Sequence, residues 1–130
     1  RRMGDAIMAA MREPVLDLVG KDTLKQFLAL ARRASVVLAP DSGPLHMANA
    51  MGTRVIGLHA ASNPARSGAY SNREWCVDRY DAAARKFRGK AAAALRWGTK
   101  LEVPGAMELV EVADVIATLD RCMARRPGSS

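Results

Sequence analysis

The chain has 130 residues, 49% of them hydrophobic and 25% charged, a composition that suits a single soluble globular domain and excludes global disorder. Twenty Lys plus Arg against thirteen Asp plus Glu leave a net charge of +7, which favours anionic partners: phosphates, nucleic acid or an acidic membrane surface. Two cysteines, Cys76 and Cys122, are too few for a disulfide framework or a four-cysteine zinc site, and no apolar run approaches the roughly 20 residues that span a bilayer.

The chain opens on Arg1-Arg2-Met3-Gly4 with no secretory signal, and the opening reads as a cut within a longer product. Met3, Ile7 and Met11 recur at near-helical spacing, which predicts a helix over 2–12 that ends before Pro14. Val15-Leu16-Asp17-Leu18-Val19, closed by Gly20, reads as a short strand. Thr23 and Gln26 have the spacing of a capping box, and Leu24, Phe27, Leu28 and Ala31 behind them form one face of a helix running to about Ala34. Ser35-Val36-Val37-Leu38-Ala39 is a continuous apolar run of the kind buried on both faces of a parallel sheet. A short helix over 44–51 follows Pro40-Asp41-Ser42-Gly43, with Gly52 at its C-terminal stop. Arg54 to His59 is the next strand. The order helix, strand, helix, strand, helix, strand predicts an α/β domain: a doubly wound, Rossmann-like parallel sheet.

Beyond the Asn-, Pro-, Ser- and Gly-rich loop from Ala60 to Tyr70, Trp75-Cys76-Val77 reads as a short strand. Residues 81–96 read as an Ala-rich helix weakened by Gly89. Val112, Val115, Ile116, Leu119 and Met123 predict a last amphipathic helix, and 125–130 reads as a frayed tail.

The chemistry is expected at Asp41-Ser42-Gly43-Pro44-Leu45-His46, which joins the carboxyl end of a strand to the start of a helix. Ligands of open α/β sheets settle at such ends, and the helix terminus favours an anion, typically a phosphate. Gly43 lets a phosphate approach the backbone, and Pro44 costs little in a first turn. Ser42 can cap the helix or donate to a ligand. His46 can bond a phosphate oxygen, with Asn49 following on its face. A purely structural alternative stands beside this one: Asp41 and Ser42 as helix caps and His46 as a packed histidine.

The stretch Asp41-Ser42-Gly43-Pro44-Leu45-His46-Met47-Ala48-Asn49-Ala50-Met51-Gly52-Thr53 resembles the nucleotide-sugar-binding motif of glycosyltransferase family 9, the lipopolysaccharide heptosyltransferases. The similarity continues through Val55-Ile56-Gly57-Leu58 and 61–70, and upstream through Asp17-Leu18-Val19-Gly20-Lys21. The resemblance implies one half of a GT-B fold, with residues 1–124 as a C-terminal donor-binding domain incomplete at its N-terminus. It implies heptose transfer from an ADP-sugar to a lipopolysaccharide core acceptor, at the cytoplasmic face of the bacterial inner membrane. It places the catalytic base in an N-terminal domain outside this chain, so no residue of 1–130 is assigned as catalytic. It calls for no cofactor and no metal. Two other classes fit the residues as well: another nucleotide-sugar enzyme of GT-B-like fold, such as an epimerase, and a non-catalytic basic binding module.

Lys21 and Asp22, after the 15–19 run, are candidates for nucleoside contact or for a solvated turn. Arg66 can pair with a diphosphate or an acidic acceptor, because its planar fork bonds two oxygens at once. His59 reads as a second site histidine or a partly buried rim histidine. A His46–His59 metal pair lacks a third ligand. From Arg85 to Lys100 there are six basic residues and no acidic one. With only Phe87 and Trp97 among them this is a poor nucleic-acid surface, so no nucleic-acid partner is expected; an anionic bilayer or a solvated helix face are the readings.

Overall fold

A computed structural model describes residues 2–21, 23–64 and 75–124. In chain order its helices and strands are α1 (Arg2–Ala10), α2 (Leu24–Arg33), β1 (Val37–Pro40), α3 (Gly43–Ala50), β2 (Val55–His59), β3 (Val77–Asp78), α4 (Tyr80–Arg88) and α5 (Val112–Ala124). The strands form one parallel sheet in the order β1-β2-β3, with Val37 opposite Val55 and Leu58 opposite Val77.

Local rules account for the best-defined ends. Thr23 and Gln26 close the capping box at α2: the Gln26 amide donates to Thr23 Oγ1 at 3.2 Å, and the Thr23 amide to Gln26 Oε1 at 2.9 Å. After α3 the chain turns at Gly52, whose φ of +82° only glycine adopts without strain. Thr53 then donates its hydroxyl to the Ala31 carbonyl at 2.6 Å, tying the end of α2 to the start of β2.

The sheet is covered on both faces, and the period of two along β2 decides which side chain goes where. Val55 packs with Leu45 and Ala48 of α3 and Ala31 of α2, with Phe27, Val37 and Ala39 at the margin. Its neighbour Ile56 faces the other way, onto Trp75, Val77 and Cys122, with Val115 and Leu119 of α5. A third cluster joins α4 to the segment after it through Tyr80, Ala83, Ala84 and Leu101. Arg54 fastens this side, donating to the Cys122 carbonyl and lying over the Trp75 ring at 5.7 Å.

Four sequence expectations are corrected. Residues 15–19 form no strand: Asp17 accepts from the Val19 amide and the chain turns at Lys21, because a strand needs a ladder neighbour and the segment has none among the described residues. The apolar run before Asp41 is not buried on both faces. β1 lies at the sheet edge, where α5 covers Ile56 and Val77 but leaves Leu38 47% exposed. The 81–96 helix stops at Arg88, since Gly89 enters the left-handed region at φ +65° and donates to the Arg85 carbonyl; a 3-10 turn at Ala92–Ala94 follows. In α5 the buried stripe is Thr118 and Cys122 with Val115 and Leu119, while Val112, Ile116 and Met123 face outward.

Candidate functional site

The candidate site grows from one parallel register. Pro40 of β1 stands opposite Leu58 of β2, so Asp41 and His59 leave the sheet side by side at its carboxyl edge. From Asp41 the chain passes directly into α3, whose first turn is fixed by Leu45. That side chain is fully buried against the sheet. Helix and strand end are thereby held at one angle, with the helix terminus at the rim.

Ser42 occupies the N-cap position, yet its side chain makes no cap bond; it donates instead to the Pro40 carbonyl at 3.1 Å. Pro44 has no N–H to offer. The His46 amide bonds the Ser42 carbonyl at 3.3 Å, as the first turn requires. Ser42 thus does not close the amides of Gly43 and Leu45, an arrangement that suits an incoming anion. This answers the capping alternative for Ser42: its hydroxyl is not a helix cap.

Sequence reasoning missed the pairing of the two charged members. His46 Nε2 lies 2.9 Å from Asp41 Oδ1. The two are five residues apart, across a strand-to-helix junction, a spacing with no standing motif. The His46 side chain is 45% exposed and that of Asp41 21%, so the imidazole is held from one side and presents the other to solvent. With Nε2–H donating to the carboxylate, Nδ1 is the ring nitrogen left without that partner.

His59 is not a partly buried rim residue: it is 1% exposed, with Nδ1 3.1 Å from Ser62 Oγ. Burial holds its pKa below the usual histidine value, against the opposing pull of Asp41 and Asp78, so the ring is neutral at physiological pH. Cys76 beside it is also desolvated, and burial together with the charges of Asp78 and Asp41 pushes its thiol up to about 12. Such a thiol stays protonated at neutral pH and is no nucleophile. Both cysteines are free, and among the described residues no group of three His, Cys, Asp or Glu side chains could hold a metal ion.

The remaining candidates are scattered. Asn49 lies in the last turn of α3 and is half-buried. Lys21 follows residues 15–19, which do not join the sheet. Without that strand it lines a separate cleft of about 490 Å³ against Leu30 and Arg33 of α2. Asp22, Arg66 and the rest of 65–70 lie outside the described residues. The basic residues Arg85, Lys86, Arg88, Lys90, Arg96 and Lys100 are all exposed, as is Trp97 at 69%. Asp81 offsets Arg85 at 2.8 Å, and Glu102 approaches Lys100 at 3.9 Å.

Comparison with known proteins covers most of the chain. The family model of glycosyltransferase family 9 (heptosyltransferase) matches residues 2–97. The chain is 41% identical over 105 residues to the lipopolysaccharide core heptosyltransferase OpsX of Haemophilus influenzae, a match that takes in 81% of this chain. It spans only 30% of that relative's length. No solved structure matches the chain.

Proposed function

This chain belongs to glycosyltransferase family 9, and from that premise we propose that it supplies the donor-binding half of a heptosyltransferase. The donor is ADP-heptose and the acceptor a lipopolysaccharide core sugar, the acceptor class taken from the name of the OpsX relative. The observation that carries the reading is the start of α3 at the carboxyl end of β1, where Ser42 makes no cap bond and Asp41 tethers His46 over the first turn.

In displacement at an anomeric carbon, the acceptor hydroxyl attacks as the bond to the diphosphate breaks, and the leaving diphosphate gains negative charge. The amides of Gly43 and Leu45 and the imidazole of His46 are fixed before the reaction. They stabilise that charge more in the transition state than in the ground state. The acceptor's base is assigned to no residue of 1–130. It belongs to an opposing N-terminal domain, which would complete a doubly wound GT-B pair. The exposed edge of β1 and the outward-facing Leu38 are the kind of surface such further structure covers.

Localisation follows the acceptor. No helix among the described residues is long and apolar enough to cross a membrane. Contact with an anionic bilayer at the cytoplasmic face is instead assigned to the exposed cations of 85–100 and to Trp97. Each such charge near an acidic surface contributes about 1 kcal/mol.

The assay for this reading is transfer itself. The full-length enzyme should release ADP from ADP-heptose only when a heptose-deficient core acceptor is present. The 1–130 chain alone should release none above blank, because transfer needs donor and acceptor oriented across a cleft. Transfer by 1–130 alone would refute the two-domain division, and a full-length enzyme inert toward ADP-heptose would refute the donor.

A further inference from the structure

Among the described residues no buried polar side chain is more secluded than His59. Its ring fits because residue 57 is glycine. A Cβ built at Gly57 would lie 2.9 Å from His59 Nε2 and 3.3 Å from Leu45 Cδ2. Residues 57 and 59 share one face of β2, so the imidazole folds back over Gly57 into a notch beneath the first turn of α3. There Nε2 has no hydrogen-bond partner. A proton on Nε2 would be a buried donor without an acceptor, whereas a proton on Nδ1 is used: Nδ1–H donates to Ser62 Oγ.

An apolar side chain would fill the same notch with no desolvation cost, so the imidazole gains over it only through the Ser62 bond. Ser62 itself is buried, on the loop 60–64 that leaves β2 beside Asp41. The same loop is held from outside by the Leu101 amide, which donates to the Ala61 carbonyl at 2.6 Å. The far segment at Leu101 and His59, wedged under the anion-binding turn, thus each anchor the loop.

We propose that His59 is a positioning residue for the nucleoside-diphosphate site: seated in the Gly57 notch, it fixes Ser62 and so sets the loop 60–64 as the site's second wall. This rests on the donor-site reading above. Leu45 couples the two walls, since it touches the space shared by Gly57 and His59 and also roots the turn that carries His46.

The test uses the full-length enzyme, with ADP as probe and binding measured by titration calorimetry beside the melting temperature. Ser62→Ala and His59→Leu should each weaken ADP on the order of tenfold, the yield of one well-placed hydrogen bond. The double variant should be no weaker than either single one. His59→Asn, whose amide N–H stands where Nδ1–H stood, should restore most of the affinity. If all these variants lower the melting temperature while folded protein binds ADP as the wild type does, His59 is only a core residue and the proposal fails. It fails equally if His59→Leu weakens ADP and Ser62→Ala does not. Should His59→Leu not fold, Ser62→Ala and His59→Asn decide alone. A wild-type enzyme that binds no ADP would instead overturn the site reading, and this inference with it.

Discussion

His46→Ala in the full-length enzyme should lower kcat on the order of a hundredfold, with a smaller rise in donor KM. His46 is held 2.9 Å from Asp41 Oδ1 at the helix start, where a leaving diphosphate gains charge, and loss of one fixed donor typically costs that much in rate. A structural role predicts the reverse pattern, with stability lost and kcat per folded molecule unchanged. The 45% exposure of the side chain argues against it, because half-exposed groups outside a core contribute little to folding. Asp41→Asn should fall between the two, since the amide keeps an acceptor for Nε2 but is a weaker one than the carboxylate. Ser42→Ala separates the cap from the ligand. With no cap bond to lose, it should leave the melting temperature nearly unchanged.

Leu45→Ala should be the most damaging single change to the fold of this domain, by about 3–5 kcal/mol. Leu45 is fully buried between Ala31, Ala48 and Val55, neighbours too small or too fixed to close the cavity. Against a total stability of roughly 5–15 kcal/mol, that loss should appear as a melting temperature lower by at least about 10 °C. The damage should reach ADP binding too, because the first turn of α3 is rooted by this one side chain. Leu45→Met, which keeps the volume, should cost less than about 1.5 kcal/mol and retain the site. Equal losses for Ala and Met would mean that Leu45 is not the anchor.

The parts of the structure legible in the sequence are those decided by near neighbours. The Thr23–Gln26 box, the Gly52 stop, the β-branched runs at 36–37 and 55–56, and the strand-to-helix junction at Asp41–His46 all rest on contacts within a few residues. What escaped depends on partners distant in the chain. Val15–Val19 has the composition of a strand but no strand among the described residues to pair with. Leu38 has the composition of a core residue but lies at an edge. Gly89 reads as a weak point within a helix, and only the fold shows that Asp81, by accepting the Ala92 amide at 2.7 Å, holds the chain in its turn away from the helix axis.

The site shows the same division. Asp41, Ser42, Gly43, Leu45 and His46 are brought together because they are consecutive, so the sequence could place them. The Asp41–His46 bond needs the angle between β1 and α3, and the burial of His59 needs the notch at Gly57. Neither is written in spacing. A small signal for the second exists, since Gly57 and His59 alternate on one strand face, the pattern that seats a large side chain over a missing one.

The most direct test of the central claim is amide NMR of the full-length enzyme titrated with ADP. The amides of Gly43 and Leu45, and the neighbouring amides of Asp41–Met47, should show the largest shifts, saturating together with the calorimetric binding curve. Saturable ADP binding that leaves Asp41–Met47 unshifted would contradict the account, because the anion would then lie elsewhere than at the start of α3.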